Sequence, residues 1–436
     1  MASTYLSRTQ TTATDRKKLT LSTWIKRGNL SGGSFQFFVS SYISSNDRIG
    51  FYFNSDDSLS VFASTSGTTI SLQTSRLFRD ISAWYHIVYE IDTTQATASD
   101  RVKIYVNGEQ ETSFQTATYP TQNSDIQFGT SSYNMYVGNY DATQYYFDGS
   151  MTHVHFIDGT AYDASYFGQY DANGVWTIKT SPSVTYGTNG FFILKDGNSV
   201  TDQSGNGNNF TVAGGTLTNT EDSPSNVFAT ANPIDFSGTA PTLGNGNLSL
   251  TTVVTSDYPF RSTLAFSKGK YYCEVKHTDA SNNNHIGIWS ADNSLTSNYV
   301  GYQLYSWGIF TPNGNKRNNQ SYDSYGSAIA QNDIIMIAVD KDNGKIWWGK
   351  NGTWFNSGDP VNGTNEAFSN INTVVGTDGF IAFCSLTQAT HQWNFGNGYF
   401  GTTAVASAGT NASGIGIFEY DVPTGYTALS TKGLNL

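Results

Sequence analysis

Charged side chains are scarce in this chain: Asp, Glu, Lys and Arg make up 13% of its 436 residues, and Glu occurs seven times. Other strong helix formers are sparse as well, which argues against a helical protein. Cysteine is rarer still. Cys273 and Cys384 are the only two, too few for a disulfide scaffold, so each domain must close on an apolar core. Both lie in strand-like runs, where two buried thiols or one disulfide would fit. No uninterrupted apolar run approaches the ~18 residues of a membrane-spanning helix. The opening MASTYLSRTQTTATDRKKL has no apolar stretch of the secretory kind. The expectation is a chain made in a cytoplasm without a signal peptide, soluble, and carried outside a cell only by another route such as lysis. Basic charge is short too. The formal net charge is −11, which repels phosphate backbones and disfavours nucleic acid as a partner. The one short basic run, Arg16-Lys17-Lys18, reads as a solvated strand entrance.

What is abundant points to strands and tight turns. Aromatic residues reach 14% and there are 43 glycines, among many Thr, Ser, Val and Ile. The length allows two or three domains, each with its own core. Over the first 165 residues, strand-like runs alternate with turn clusters: LSTWIKRG, FQFFVSSYI, RIGFYFN, SLSVFAS, WYHIVYEID and RVKIYVNG. In the last of these Val102, Ile104 and Val106 share one face, and Asn107-Gly108 supplies a positive-φ hairpin turn. Residues 166–235 are less regular and read as a bridge that returns strands to the first domain or forms a small subdomain. SPSNVFATANP (223–233) is the linker candidate. From 236 onward NDIIMIAVD reads as a core strand covered on both faces, followed by a hairpin around Asn351-Gly352.

Two resemblances follow from these runs. WYHIVYEID, RVKIYVNG and YVGNYDATQYYFDGSMTHVHFIDG, in that order over residues 84–159, resemble a laminin G-like (concanavalin A-like lectin/glucanase) domain. GKYYCEV, HIGIWSAD, NDIIMIAVDKDNGKIWWGKNGTWF and HQWNFG, over residues 269–396, are similar to a SPRY domain. The expected fold is all-β: a concanavalin A-like jelly roll over 1–165, a bridge over 166–235, and a SPRY-like sandwich with a C-terminal tail over 236–436. Both families mostly bind ligands with loops on a rigid sandwich, so the resemblance implies a binder and not an enzyme.

The sharpest catalytic candidate is Glu90 with Asp92, which alternate on one strand face with Trp84, His86 and Val88. Concanavalin A-like glucanases place carboxylates this way, facing a sugar cleft. A retaining glycosidase needs carboxyl groups about 5–5.5 Å apart, whereas same-face neighbours on a strand are nearly 7 Å apart. The longer E-x-D-x-x-E pattern of such enzymes is also broken, since position 95 is Gln. Only a rival reading therefore assigns Glu90 and Asp92 to catalysis. His153 and His155 point the same way but lack a third zinc ligand. The runs starting at Asp340 and Asp202 mimic calcium loops, but their twelfth positions are Asn351 and Ala213, not glutamate. Because some laminin G-like domains bind calcium through loop aspartates, Asp141, Asp148 and Asp202 remain weak Ca2+ candidates, and no other metal or cofactor is expected. Gly396 to Gly401 matches G-x-G-x-x-G without the flanking βαβ unit that motif requires. Seven Asn-x-Ser/Thr triplets, Asn209 and Asn351 among them, follow from the composition.

Aromatic loops remain. Tyr140, Tyr145 and Tyr146 cluster with Asp141 and Asp148. Tyr302, Tyr305 and Trp307 precede the polar stretch TPNGNKRNNQSYDSYG. Aromatic rings among Asn, Asp and Ser supply stacking plus adaptable hydrogen bonds, as sugar faces and protein hot spots do, although about half of these rings are expected to be core. The architecture and composition resemble structural proteins of tailed phages. The leading expectation is thus a non-enzymatic virion surface protein, a capsid decoration, fibre or tail appendage. Its loops would bind host-surface glycan for adhesion or neighbouring virion subunits, and it would be a homo-oligomer. The rivals are a glycan depolymerase, a purely structural capsid cement, and a SPRY adaptor that binds a linear peptide.

Overall fold

Alternation of apolar and polar residues decides which face of each strand is buried. In Val102–Val106 the side chains of Val102, Ile104 and Val106 enter a core, while Lys103 and Tyr105 lie on the other face. Asn107 and Gly108, at φ 51° and 86°, then turn the chain into Glu109–Gln110. The computed structural model describes residues 3–436 except 31, 66–67, 196, 198, 252–256, 280–282 and 387–389, and no side chain is described at position 68. The chain divides into two compact units, Met1–Asn219 and Thr220–Leu436. Among the described residues the longest α-helix is the five-residue Ile371–Val375.

The first unit is a sandwich of two antiparallel sheets. One has eight strands in the order Phe114–Thr118, Thr68–Leu77, Ser58–Thr65, Asp47–Phe53, Gln36–Ser44, Asn134–Val137, Tyr5–Thr9 and Thr211–Gly214. The other has six, in the order Phe191–Ile193, Gly149–Asp158, Lys18–Arg27, Trp84–Asp92, Val102–Val106 and Glu109–Gln110. Between them lie Leu19, Leu21, Phe38, Phe51, Phe53, Tyr89, Ile91, Ile104 and Phe156 with their neighbours.

The division between units departs from the expected boundaries at 165 and 235. Phe191–Ile193 pairs with Gly149–Asp158, and Thr211–Gly214 pairs with Tyr5–Thr9, so the expected bridge supplies strands to both sheets of the first unit. Residues after Asn219 belong to the second unit, where Ala231–Phe236 pairs with Pro259–Ser262. The bridge thus returns strands to the first domain, one of its two expected roles, while strands of three or four residues carry too little periodicity to fix the boundary.

The second unit is also a sandwich. Its seven-stranded sheet runs Ala231–Phe236, Pro259–Ser262, Ile381–Leu386, His285–Ser290, Ser306–Phe310, Asn315–Asn318 and Ser321–Asp323. The facing sheet runs Thr242–Gly244, Ser249–Thr251, His391–Asn394, Lys270–His277, Ile334–Asp340, Lys345–Lys350 and Thr353–Trp354. Thr427–Ala428 joins it parallel to Lys270–His277. Ile334–Asp340 is covered on both faces. Ile335, Ile337 and Val339 face the main core, while Met336 and Ala338 lie under the C-terminal segment through Phe418, Val422 and Tyr426. Cys273 and Cys384 are both buried free thiols.

Candidate functional site

The strand Trp84–Asp92 places Tyr85, Ile87, Tyr89 and Ile91 in the core, so Glu90 and Asp92 project from the outer face of the six-stranded sheet. That face is covered rather than open. Val88 and Ile157 are packed under Ala164 and Phe167, with Tyr162, Trp176, Val184 and Tyr186 around them. The Trp176 indole stacks near His86 and donates its Nε1 hydrogen to His86 Nδ1 at 2.9 Å. Since indole N–H can only donate, His86 is the neutral tautomer with its hydrogen on Nε2, 2.9 Å from the Ser22 hydroxyl. Burial, helped by His153, pushes this imidazole down to about 3.

Both carboxylates are occupied locally. Glu90 accepts the Tyr105 hydroxyl at 2.7 Å and lies 3.8 Å from Lys103 Nζ. Asp92 accepts the Thr94 amide and hydroxyl and the Gln95 side-chain amide, and lies 3.7 Å from Lys18. Burial alone would raise the Asp92 carboxyl, but these donors hold it below its usual range. The position that broke the E-x-D-x-x-E pattern thus supplies one of the donors that fasten Asp92.

The histidine pair lies on the same covered face. His155 stacks on Phe192 with ring centres 3.9 Å apart, and its Nδ1 meets the Tyr186 hydroxyl at 2.9 Å. A register shift between Thr152 and His155 sets His153 at φ 51°. The two rings are 6.3 Å apart, and the described residues contain no group of three or more His, Cys, Asp or Glu arranged for a metal.

The three aspartates considered for calcium occupy separate settings. Asp141 accepts the Thr143 amide and hydroxyl and the Gln144 amide and side chain, which hold its carboxyl low against the opposing effect of burial. Asp202 accepts the amides of Phe192, Ser204 and Asn208 and the Ser204 hydroxyl. Asp148 is buried, which raises its carboxyl, and its Oδ2 has no hydrogen-bond partner. Asp141 and Asp202 therefore act as acceptors that shape their own loops.

The outer face of the eight-stranded sheet is aromatic. Opposite the core residues Ile49, Phe51 and Phe53, the strand Asp47–Phe53 presents Arg48, Gly50 and Tyr52. The Phe37 ring lies over Gly50, where any Cβ would collide with it, and stacks on Tyr52 at 4.4 Å. Tyr140 packs on Phe37 and Tyr42 at 4.5 and 5.2 Å. Arg48 lies over Phe62 at 4.9 Å and donates to the Tyr140 hydroxyl. Tyr145, held at φ 58°, and Tyr146, beside Tyr5, continue the cluster. Tyr140 is 6% exposed, so it supports the face instead of forming its surface, while Tyr52, Phe62, Tyr145 and Tyr146 are half-buried.

In the second unit the three expected loop aromatics separate. Trp307 is fully buried in the core and donates to Asn370 Oδ1 at 2.8 Å, which corrects its assignment to a ligand-binding loop. It shares its strand face with Ile309, both pointing inward. Tyr305 packs toward Trp289, and Tyr302 meets Tyr299 edge-on at 5.2 Å. The outer face of this seven-stranded sheet instead centres on Arg317. Its guanidinium lies 3.8 Å from the Phe310 ring centre, 4.0 Å from Tyr322 and 5.0 Å from Tyr299. The Tyr299 and Tyr322 hydroxyls are 3.0 Å apart, and His285 stacks on Tyr299 at 4.5 Å. Sequence reading missed Arg48, Tyr52, Phe62, Tyr299, Arg317 and Tyr322. The alternation of Arg48, Gly50 and Tyr52 against Ile49, Phe51 and Phe53 was the available signal for the first face; the second depends on register between three strands.

Residues 2–164 match the family model of the concanavalin A-like lectin/glucanases superfamily. Among solved structures, the chain is similar to the SPRY domain of human HERC1, with 16% identity, a TM-score of 0.31, and 37% of this chain and 96% of that one covered. It is also similar to a heptameric SAP-like pentraxin from Limulus polyphemus, with 15% identity, a TM-score of 0.28 and coverage of 36% and 71%. The TRIM65 PSpry domain gives 10% identity, a TM-score of 0.29 and coverage of 38% and 90%. The N-terminal side of the chain is therefore similar to laminin G-like domains over residues 2–164.

Proposed function

We propose that this is a non-catalytic binding protein of a tailed-phage virion surface, a capsid decoration, fibre or tail appendage that attaches to host-surface glycan. The observation that carries this reading is the aromatic outer face of the eight-stranded sheet, where Tyr52 and Phe62 lie beside Arg48 and the turn of Asp141. Rings for stacking next to a guanidinium and amide groups match the chemistry of saccharides. The non-catalytic part is supported by the packing over the neighbouring Val88 and by the local hydrogen bonds that fasten the Glu90 and Asp92 side chains. The virion setting rests on the resemblance in composition and architecture described above, and nothing in the reading requires a cofactor.

Partner subunits fit the same picture. Tyr166, Tyr170 and Val175 are 42%, 51% and 57% exposed around the hairpin of Gly168–Tyr170 and Trp176–Ile178. An apolar hairpin tip of this kind suits contact with a neighbouring virion subunit or another copy of the chain.

The test is to expose the purified protein to a panel of bacterial surface polysaccharides, recording binding and released reducing ends together. Binding without cleavage, lost on Tyr52→Ala with Phe62→Ala, is the expected result. Cleavage that disappears on Glu90→Gln with Asp92→Asn would refute the non-catalytic reading. Absence of both signals would favour a structural cement.

A further inference from the structure

Arginine pairing in this chain is uneven. Arg27, Arg76, Arg79 and Arg261 each meet a carboxylate at 2.8–3.1 Å. Arg317 forms no ion pair among the described residues, in a protein of net charge −11. It is only 7% exposed, and its Nε has no hydrogen-bond partner. A guanidinium carries five N–H donors, and leaving it buried without a counter-charge is unfavourable unless something answers it. The hydroxyls of Tyr299 and Tyr322 are the acceptors at hand. His285, kept neutral by burial and by Arg317 itself, adds no competing charge. Asp257 lies near enough for Arg317 to work against the rise that burial gives its carboxyl.

Access is confined to one side. The guanidinium lies over the Phe310 and Tyr322 rings at 3.8 and 4.0 Å, so a ligand would meet it through its N–H edge. Tyr322 sits on the edge strand Ser321–Asp323 and is 53% exposed, and neighbouring Leu304 is 48% exposed. We propose that the outer face of the seven-stranded sheet is a subsite for an acidic saccharide: a uronate or sulfate group bonds the edge of Arg317 and the Tyr299–Tyr322 hydroxyl pair while its sugar ring lies against Tyr322. Planar carboxylate and sulfate oxygens suit the guanidinium fork, and a pyranose face suits the exposed phenol ring. This rests on the glycan-binding reading above and names the charge of its ligand.

The experiment measures binding of the full chain to polygalacturonate and heparin, each beside its neutralised form (methyl-esterified or desulfated), with poly-glutamate as an acidic peptide. Expected is binding to an acidic polysaccharide that weakens about tenfold or more on neutralising the ligand, on Arg317→Gln and on Tyr322→Ala, with Arg317→Lys only partly restoring it. Tyr322 is exposed, so Tyr322→Ala keeps the test valid if Arg317→Gln unfolds, and circular dichroism reports which has happened. Arg76→Gln, an exposed arginine of the other unit that pairs with Glu111 and belongs to neither face, should leave this binding unchanged. Equal binding of acidic and neutralised polysaccharide would overturn the charge assignment while sparing the glycan reading. Poly-glutamate binding lost on Tyr322→Ala would replace the saccharide by an acidic peptide, and no polysaccharide binding at all would sink both.

Discussion

Replacing Trp176 by Ala would uncover the face that bears Glu90 and Asp92, and its consequences follow from what the indole touches. The ring lies in a slot whose floor is glycine: a Cβ at Gly108 or Gly168 would fall within 2.6 Å of indole atoms. It also meets Tyr170 edge-on at 4.9 Å and bonds His86. Truncating a fully buried tryptophan to Ala costs about 3–5 kcal/mol; Trp176 is half-buried, so about 2–4 kcal/mol is expected for the first unit. With an m-value of about 2–3 kcal/mol/M in urea, that is a midpoint lower by about 1 M. A second consequence is electrostatic. His86 is held at about 3 chiefly by burial, and admitting water beside its ring moves it back toward the ordinary histidine value of about 6.5. Urea unfolding followed by tryptophan fluorescence reads the first effect, and the His86 ring resonances across a pH titration read the second. If the midpoint moved by less than about 0.3 M and His86 stayed unprotonated at pH 5, the indole would not be the cover described here.

Two further outcomes can be checked on the same protein. Burial lowers His86, His155, His277, His285 and His391, the first and last to about 3. The unfolded chain takes up these protons near pH 6.5 and the folded chain only at lower pH, so their contribution is complete above pH 6.5 and falls below it, by up to about 1.4 kcal/mol per pH unit for each histidine. Glu274 opposes them: burial raises its carboxyl to about 7 against an ordinary 4.5, so its one term lowers stability as pH rises across that interval. With five histidines against three raised carboxyls, Asp148 and Asp257 besides Glu274, denaturation midpoints should fall on acidification from pH 7 to 5, and a rise would contradict the assignment. Glu274 also accepts the backbone amides of Glu419 and Tyr420 at 2.9 and 2.8 Å. In Glu274→Ala those two amides should exchange with deuterium at least about tenfold faster, and unchanged protection would show that the C-terminal segment is held by its apolar contacts alone.

Legibility in the sequence tracked the length of each periodic run. Val102, Ile104 and Val106 and the doubly covered Ile334–Asp340 were readable because five to seven consecutive residues obeyed one rule. Phe191–Ile193 and Thr211–Gly214 were legible only as returning strands of the bridge and not in their bounds or partners, since three or four residues fit any pattern. Trp307 was misassigned because its neighbours Tyr302 and Tyr305 suggested a loop, although Ile309 two residues on already marked an inward face. The Arg317 cluster was hidden for another reason. Arg317 reaches Tyr322 and Gly308 through pairing of three strands, and Tyr299 through a loop that precedes them. No local pattern encodes such convergence. His153 and His155 share a face as their spacing suggested, but the bulge that sets His153 at a positive φ is a break that no residue type announces.

The closing strands also set a timetable for synthesis. Tyr5–Thr9 gains its partner Thr211–Gly214 some two hundred residues later, and Ala229 of the second unit donates to Leu429 at 2.9 Å, near the other end of that unit. Each sandwich is therefore stitched shut by its own last strand. At a ribosomal rate of about 5–20 residues per second, the first strand waits roughly 10–40 s before its partner exists, with one flank of hydrogen-bonding groups uncovered. Such non-local closure makes folding slow and makes the half-made chain, rather than the finished one, the form most exposed to wrong pairing between neighbours on a polysome.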